Sequence, residues 1–189
     1  KDCLPFKPGN DILELRKMPK DAIPDKYDYV FVYEKNGEKK EFKVNSLPDS
    51  SWKYADRKQI LIEKGKNNVP LINDFSFTSS SGNDTTEAIL SQPGSYYILF
   101  IQHLDKYPAN WKEDKRVVED AVKNNVPLYI VTSQRTIVEK RFPGLPVFTC
   151  DFTAIKTAAR ANPTLYLMKG PVIQKKWGWA DFDDAEIGY

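Results

Sequence analysis

The sequence predicts an α/β sandwich preceded by a smaller β-rich extension, and three observations carry that prediction. Residues 95–102 are apolar on both faces, as a central strand covered on both sides must be. From residue 95 onward the patterns alternate as β-α-β-α-β-α-β-β, the order of parallel βαβ units closed by a hairpin. Between about residues 25 and 77 the reading is strands and loops, with no helix.

Residues 1–9 hold two prolines and a glycine and read as an irregular lead-in. Residues 27–34 alternate and are rich in Tyr, Val and Phe, and residues 40–44 alternate again after Asn36-Gly37. An Asn-Gly pair between two such runs predicts a tight hairpin, because both turn positions need positive φ. Residues 59–63 form a further short strand, closed by Lys64-Gly65. The run Thr78-Ser79-Ser80-Ser81-Gly82 reads as a surface loop. A short helix spans 85–92 and stops at Pro93-Gly94.

After the strand at 95–102, Asn110 is placed to cap a helix over 111–125, with Val117, Val118, Ala121 and Val122 on one stripe. Residues 128–132 are the next strand, and Ser133 is placed to cap a helix over 134–142 that Pro143-Gly144 ends. A strand at 146–149, a helix at 151–161, and a strand pair at 164–168 and 172–177 across Lys169-Gly170-Pro171 complete the order. The domain boundary falls near residue 70: an extension over 1–70, then the α/β domain over 71–189.

Composition excludes more chemistry than it suggests. The charge of +2 gives no case for a dedicated nucleic-acid surface. The longest apolar run, 96–101, is far short of the ~20 residues a bilayer span needs. Cys3 and Cys150 are the only cysteines, which leaves no CxxC pair, zinc ribbon or disulfide scaffold. A single histidine, His103, removes every mechanism needing two imidazoles, and neither a metal site nor a cofactor is expected. The first residue is Lys1 with no preceding Met, so the chain reads as a processed or excised part of a longer protein.

The α/β half resembles the thioredoxin-like fold, in its peroxiredoxin and thiol-disulfide oxidoreductase branch. Three words carry the likeness. Ile72-Asn73-Asp74-Phe75-Ser76-Phe77 looks like the branch's Pro-Asp-Phe opening strand, with Asn73 where proline is usual. The strand at 95–102 stands where the strand before the redox loop would be, and Asn162-Pro163 with Thr164-Leu165-Tyr166-Leu167-Met168 looks like the cis-proline strand. The resemblance implies a three-layer sandwich and a cis peptide bond at Pro163; by itself the residue equally fits a trans proline opening a strand.

A narrower likeness runs along nearly the whole chain. Residues 33–42, Leu47-Pro48-Asp49-Ser50-Ser51-Trp52, Asp56-Arg57-Lys58 and Asn162-Pro163 resemble the soluble extracytoplasmic C-terminal tail of DoxX-like membrane proteins of Bacteroidetes. That resemblance implies a covalently linked upstream membrane domain and a periplasmic location for a chain that is itself soluble.

Thioredoxin-type chemistry needs a thiolate at the helix N-terminus after the first central strand, where the dipole and free N–H groups lower its pKa. The matching segment, 102–111, has no cysteine, and none occurs from Leu4 to Thr149. The candidate groove is therefore His103, Asp105, Cys150, Asn162 and Pro163. Cys150 reads as a small buried residue or a single reactive thiol; the neighbouring Asp151 would raise its pKa. His103 and Asp105 follow a central strand, where open α/β sheets bind ligands, and read as a solvated loop pair or an acid–base pair. Cys3 is left open between pairing outside the chain and pairing with Cys150. Trp177 and Trp179, with Asp181, Asp183, Asp184 and Glu186 behind them, read as core packing plus a solvated acidic tail, or as a contact patch.

The expected function is a non-catalytic thioredoxin-like binding or interaction domain. Its groove beside Pro163 would hold a protein or peptide by backbone pairing. The alternative is a thiol oxidoreductase using Cys150 or a thiol supplied by a partner.

Overall fold

The computed structural model describes residues 5–106 and 113–188. In chain order the elements are α1 (Ile12–Leu15), β1 (Lys26–Lys35), β2 (Glu38–Lys43), β3 (Lys53–Glu63), α2 (Thr86–Leu90), β4 (Ser95–Ile101) and α3 (Glu113–Lys123). They continue with β5 (Leu128–Thr132), α4 (Arg135–Arg141), β6 (Val147–Thr149), α5 (Phe152–Ala158), β7 (Thr164–Lys169) and β8 (Val172–Gly178). The 3₁₀ segment Trp179–Asp184 follows. The chain divides into two compact units, Met18–Pro70 and Lys1–Lys17 with Leu71–Tyr189.

The Met18–Pro70 unit is a three-stranded antiparallel sheet in the order β2-β1-β3. Asn36 and Gly37 both have positive φ, 52° and 81°, as the hairpin between β1 and β2 requires. Asp25 closes the open end of this sheet. Its Oδ1 accepts from the Gly65 N–H at 2.6 Å and the Asn68 amide at 2.8 Å, and its Oδ2 from the Tyr27 hydroxyl at 3.0 Å. The Gly65 N–H bond, helped by Tyr27, holds the Asp25 carboxyl below the usual carboxylate range.

Gly65 is confined by backbone on that side: a Cβ there would lie 2.0 Å from the Ile23 carbonyl oxygen. Gly65→Ala is therefore expected to part the paired backbones of Ile23 and Lys66 and to destabilise this unit by about 2 kcal/mol or more. Hydrogen exchange at the β1 amides is the check. Unchanged protection there, with a normal α/β unit, would contradict the account.

The other unit is built on a five-stranded sheet in the order β6-β5-β4-β7-β8. β4 is parallel to β5, β5 is parallel to β6, and the pairs β4–β7 and β7–β8 are antiparallel. Strand periodicity sorts β4 into two cores. Tyr96, Ile98 and Phe100 face one cluster with Phe75, Phe77, Leu90, Ile155 and Tyr166; Tyr97, Leu99 and Ile101 face the other with Val117, Ile130, Val138 and Phe182. Helices α2 and α5 thus cover one face and α3 and α4 the other, a three-layer sandwich. Each fully buried side chain of this kind contributes about 1.5–3 kcal/mol.

Several elements differ from the sequence reading for identifiable reasons. The residues up to Lys17 group with the α/β unit rather than with the extension, because Phe6 and Ile12 are buried in its core. Backbone there also pairs with β8: Gly9 N–H donates to Ile173 O at 2.8 Å and Ile173 N–H to Asn10 O at 3.0 Å. β3 begins at Lys53 rather than Gln59; its first half is exposed on both faces and shows no apolar alternation to read. Gln134, not Ser133, is the N-cap of α4, and it makes no side-chain cap bond. Val122 is 69% exposed, while Val117 and Ala121, one turn apart, carry the buried stripe of α3. The expected cap at Asn110, the helix start at 111 and Cys3 lie outside the described residues.

Candidate functional site

The parallel strands β4, β5 and β6 end at one rim of the sheet, and the Asn162–Pro163 peptide bond, which is cis, lies at the same rim beside the start of β7. The first residues after β4 are pinned there by three side-chain amides. Asn162 works in both directions: its Oδ1 accepts from the Gln102 N–H at 2.9 Å, and its Nδ2 donates to the His103 carbonyl at 2.6 Å. The Gln102 side chain, buried, donates to the Ala159 carbonyl and to the Ala161 carbonyl at 3.3 Å. Gln134 Oε1 accepts from the Leu104 N–H at 2.9 Å, while the Gln134 N–H donates to Thr132 Oγ1 at 3.0 Å. Backbone groups that leave a buried strand need partners, and these amides supply them.

His103 lies over Phe152 at the start of α5, with ring centroids 4.6 Å apart. Its Nδ1 is 4.0 Å from Asp105 Oδ1, a long contact whose carboxylate side is mostly in water. The Pro163 carbonyl is already taken, accepting from the Trp179 N–H at 3.1 Å.

Cys150 follows β6 but turns into the core with Phe75, Phe77 and Ile155. It is 3% exposed, and burial, reinforced by the Asp151 charge, pushes its thiol up to about 11 against the Ser76 and Asp151 N–H groups. Asp151 serves the helix: its Oδ1 accepts from the Ala154 N–H at 2.9 Å as the N-cap of α5. The structure thus joins Asn162 to His103 by a hydrogen bond, sets Asp105 beside the His103 ring, places Pro163 next in the chain to Asn162, and buries Cys150 in the core. Gln102, Gln134 and Phe152 were not among the sequence candidates. Gln102 carries a readable signal, a polar side chain directly after the apolar run 96–101; Gln134, two residues past β5 and behind Thr132 and Ser133, carries none.

The strand order, the two covered faces and the proline loop beside the β4 terminus define the topology. The fold is thioredoxin-like. Similar solved structures are a hypothetical protein from Sinorhizobium meliloti, with 16% identity over 62% of this chain and 72% of that one and a TM-score of 0.42. Another is the bacterioferritin comigratory protein of Xanthomonas campestris, 16% identical over 60% of this chain and 86% of that one, TM-score 0.42. A third is a thio-disulfide isomerase from Thermus thermophilus, 18% identical over 57% and 82%, TM-score 0.39. Residues 27–64 match a domain of unknown function, DUF8463. No curated protein matches the chain. No helix among the described residues is long and apolar enough to cross a membrane, and none of these residues form a cluster of three or more His, Cys, Asp or Glu suited to a metal ion.

Proposed function

We propose that this chain is a thioredoxin-like binding domain whose dithiol chemistry has been lost. One observation carries the reading: the backbone leaving β4, where a redox protein presents its thiolate, is held by the Asn162 amide, and the sequence has no cysteine from Leu4 to Thr149. In this reading the His103 ring over Phe152, with Asp105 beside it, serves as a contact patch for a protein or an extended peptide. Resemblance over 33–42, 47–52, 56–58 and 162–163 supports a further part of the proposal: the domain is the extracytoplasmic tail of a DoxX-like membrane protein, linked covalently to its spans. Reading the full-length frame for spans upstream of Lys1 tests that part separately.

The catalytic part is tested by thiol titration of the folded chain. A thiol near 11, buried in the core, is expected to react with a chromogenic disulfide reagent at neutral pH at least about 100-fold more slowly than a free cysteine. Full reactivity should return on unfolding, and Cys150→Ser should abolish the slow phase. Rapid labelling of Cys150 near pH 6, or disulfide reduction lost in Cys150→Ser, would establish an oxidoreductase instead.

A further inference from the structure

The two faces of the β2-β1-β3 sheet differ in kind. Register places Tyr27, Tyr29, Phe31 and Tyr33 of β1 on one face with Phe42 of β2 and Tyr54 of β3. Rings run across this face edge to face: Trp52 to Phe42 at 5.4 Å, Phe42 to Tyr33 at 5.8 Å, and Tyr33 to Tyr54 at 5.9 Å. Cations rest on the rings, Arg57 over Tyr29 at 4.9 Å and Lys40 over Trp52 at 5.5 Å. Yet the face stays open to solvent, with Tyr54 59%, Tyr27 45% and Tyr29 37% exposed.

On the opposite face the charges are matched across strands, Lys26 with Glu63 and Lys58 with Glu41 at 2.6 Å each, and Lys39 with Glu34 at 3.9 Å. The aromatic face is unbalanced: its strand residues include Lys35, Lys40 and Arg57 against the single carboxylate of Glu38, which pairs with Lys40 at 3.3 Å and leaves an excess of two cations.

We propose that this aromatic, cationic sheet face docks on the anionic headgroup surface of a phospholipid bilayer. Tyrosine and tryptophan belong at that boundary because each has an apolar ring and a polar tip, and lysine and arginine meet the phosphates. A neutral glycan fits less well. It needs several carboxylate or amide acceptors for its hydroxyls, and the strands offer Glu38 and Gln59 on this face. The proposal stands on this face alone and holds whether or not the α/β unit is catalytic.

Co-sedimentation of the full chain with vesicles tests it, comparing phosphatidylcholine alone with an equal mixture of phosphatidylcholine and phosphatidylglycerol. Binding to the anionic vesicles is expected, weakening as salt rises. The pair Lys40→Ala with Arg57→Ala should weaken it about tenfold or more. Tyr29→Ser with Tyr54→Ser should also weaken it severalfold, although net charge is unchanged. Lys43→Ala, on the matched face, should change it less than about twofold. No binding to anionic vesicles, an unaltered tyrosine pair, or a Lys43 effect equal to that of the aromatic-face pair would overturn the proposal. So would capture on polyglutamate without capture on vesicles.

Discussion

Asn162→Ala is expected to destabilise the α/β unit by about 2–4 kcal/mol and to release the residues that follow β4. The side chain serves two backbone groups, the Gln102 N–H and the His103 carbonyl, both partly buried. Alanine leaves each without a partner, at about 1–3 kcal/mol for each buried group left unpaired. The buried Gln102 side chain, bonded to the Ala159 and Ala161 carbonyls, remains but holds only one end of the segment. Urea unfolding measures the loss of stability, and exchange of the Gln102 amide relative to that of Leu99 inside β4 reports the local release. A variant within 0.5 kcal/mol of the parent, with Gln102 still protected, would show that water replaces the Asn162 amide and that the side chain does not hold the segment after β4.

The same residues show what a linear reading can and cannot reach. The place of Asn162 before Pro163 singles it out in the sequence, but its hydrogen bonds cannot be read there, because its partners are 59 and 60 positions away. Strands β4 and β5 were legible almost to the residue, since largely apolar runs between turn signals have few other solutions. The hairpin was legible because Asn36-Gly37 answers a local demand for positive φ. The edge strand β3 was half missed, since a strand with every residue exposed has no buried face to impose alternation. The sequence around Cys150 fits both a reactive and an inert thiol, and only its burial with Phe75 and Phe77 shows which way the thiol turns. Residues 5–17 read in sequence as part of the extension and group with the α/β unit instead, because the partners of Gly9 and Asn10 in β8 lie most of the chain away.

Phe182→Ala is expected to cost about 3–5 kcal/mol, the loss typical of a large ring removed from a core that cannot collapse around the space. The acidic stretch at the C-terminus suggests a solvated tail, and its acids are indeed exposed, but the residues between them are not. Phe182, Ala185 and Ile187 are 0%, 1% and 2% exposed and pack with Leu99, Val117 and Ala121. Polar groups of the sandwich then hold the segment along its carbonyls. Arg116 donates to the Phe182 carbonyl and, at 3.2 Å, to that of Ala185; the Tyr97 hydroxyl reaches Glu186 O at 3.0 Å, and the Asn124 amide reaches Ile187 O at 2.6 Å. Trp179, 46% exposed, gives the internal comparison: Trp179→Ala should cost well under half as much, and Asp183→Asn should stay within about 0.5 kcal/mol. Denaturant midpoints at constant m-value separate the three. Equal losses for Phe182 and Trp179 would mean that the segment is a loosely held appendage and not a part of the second core.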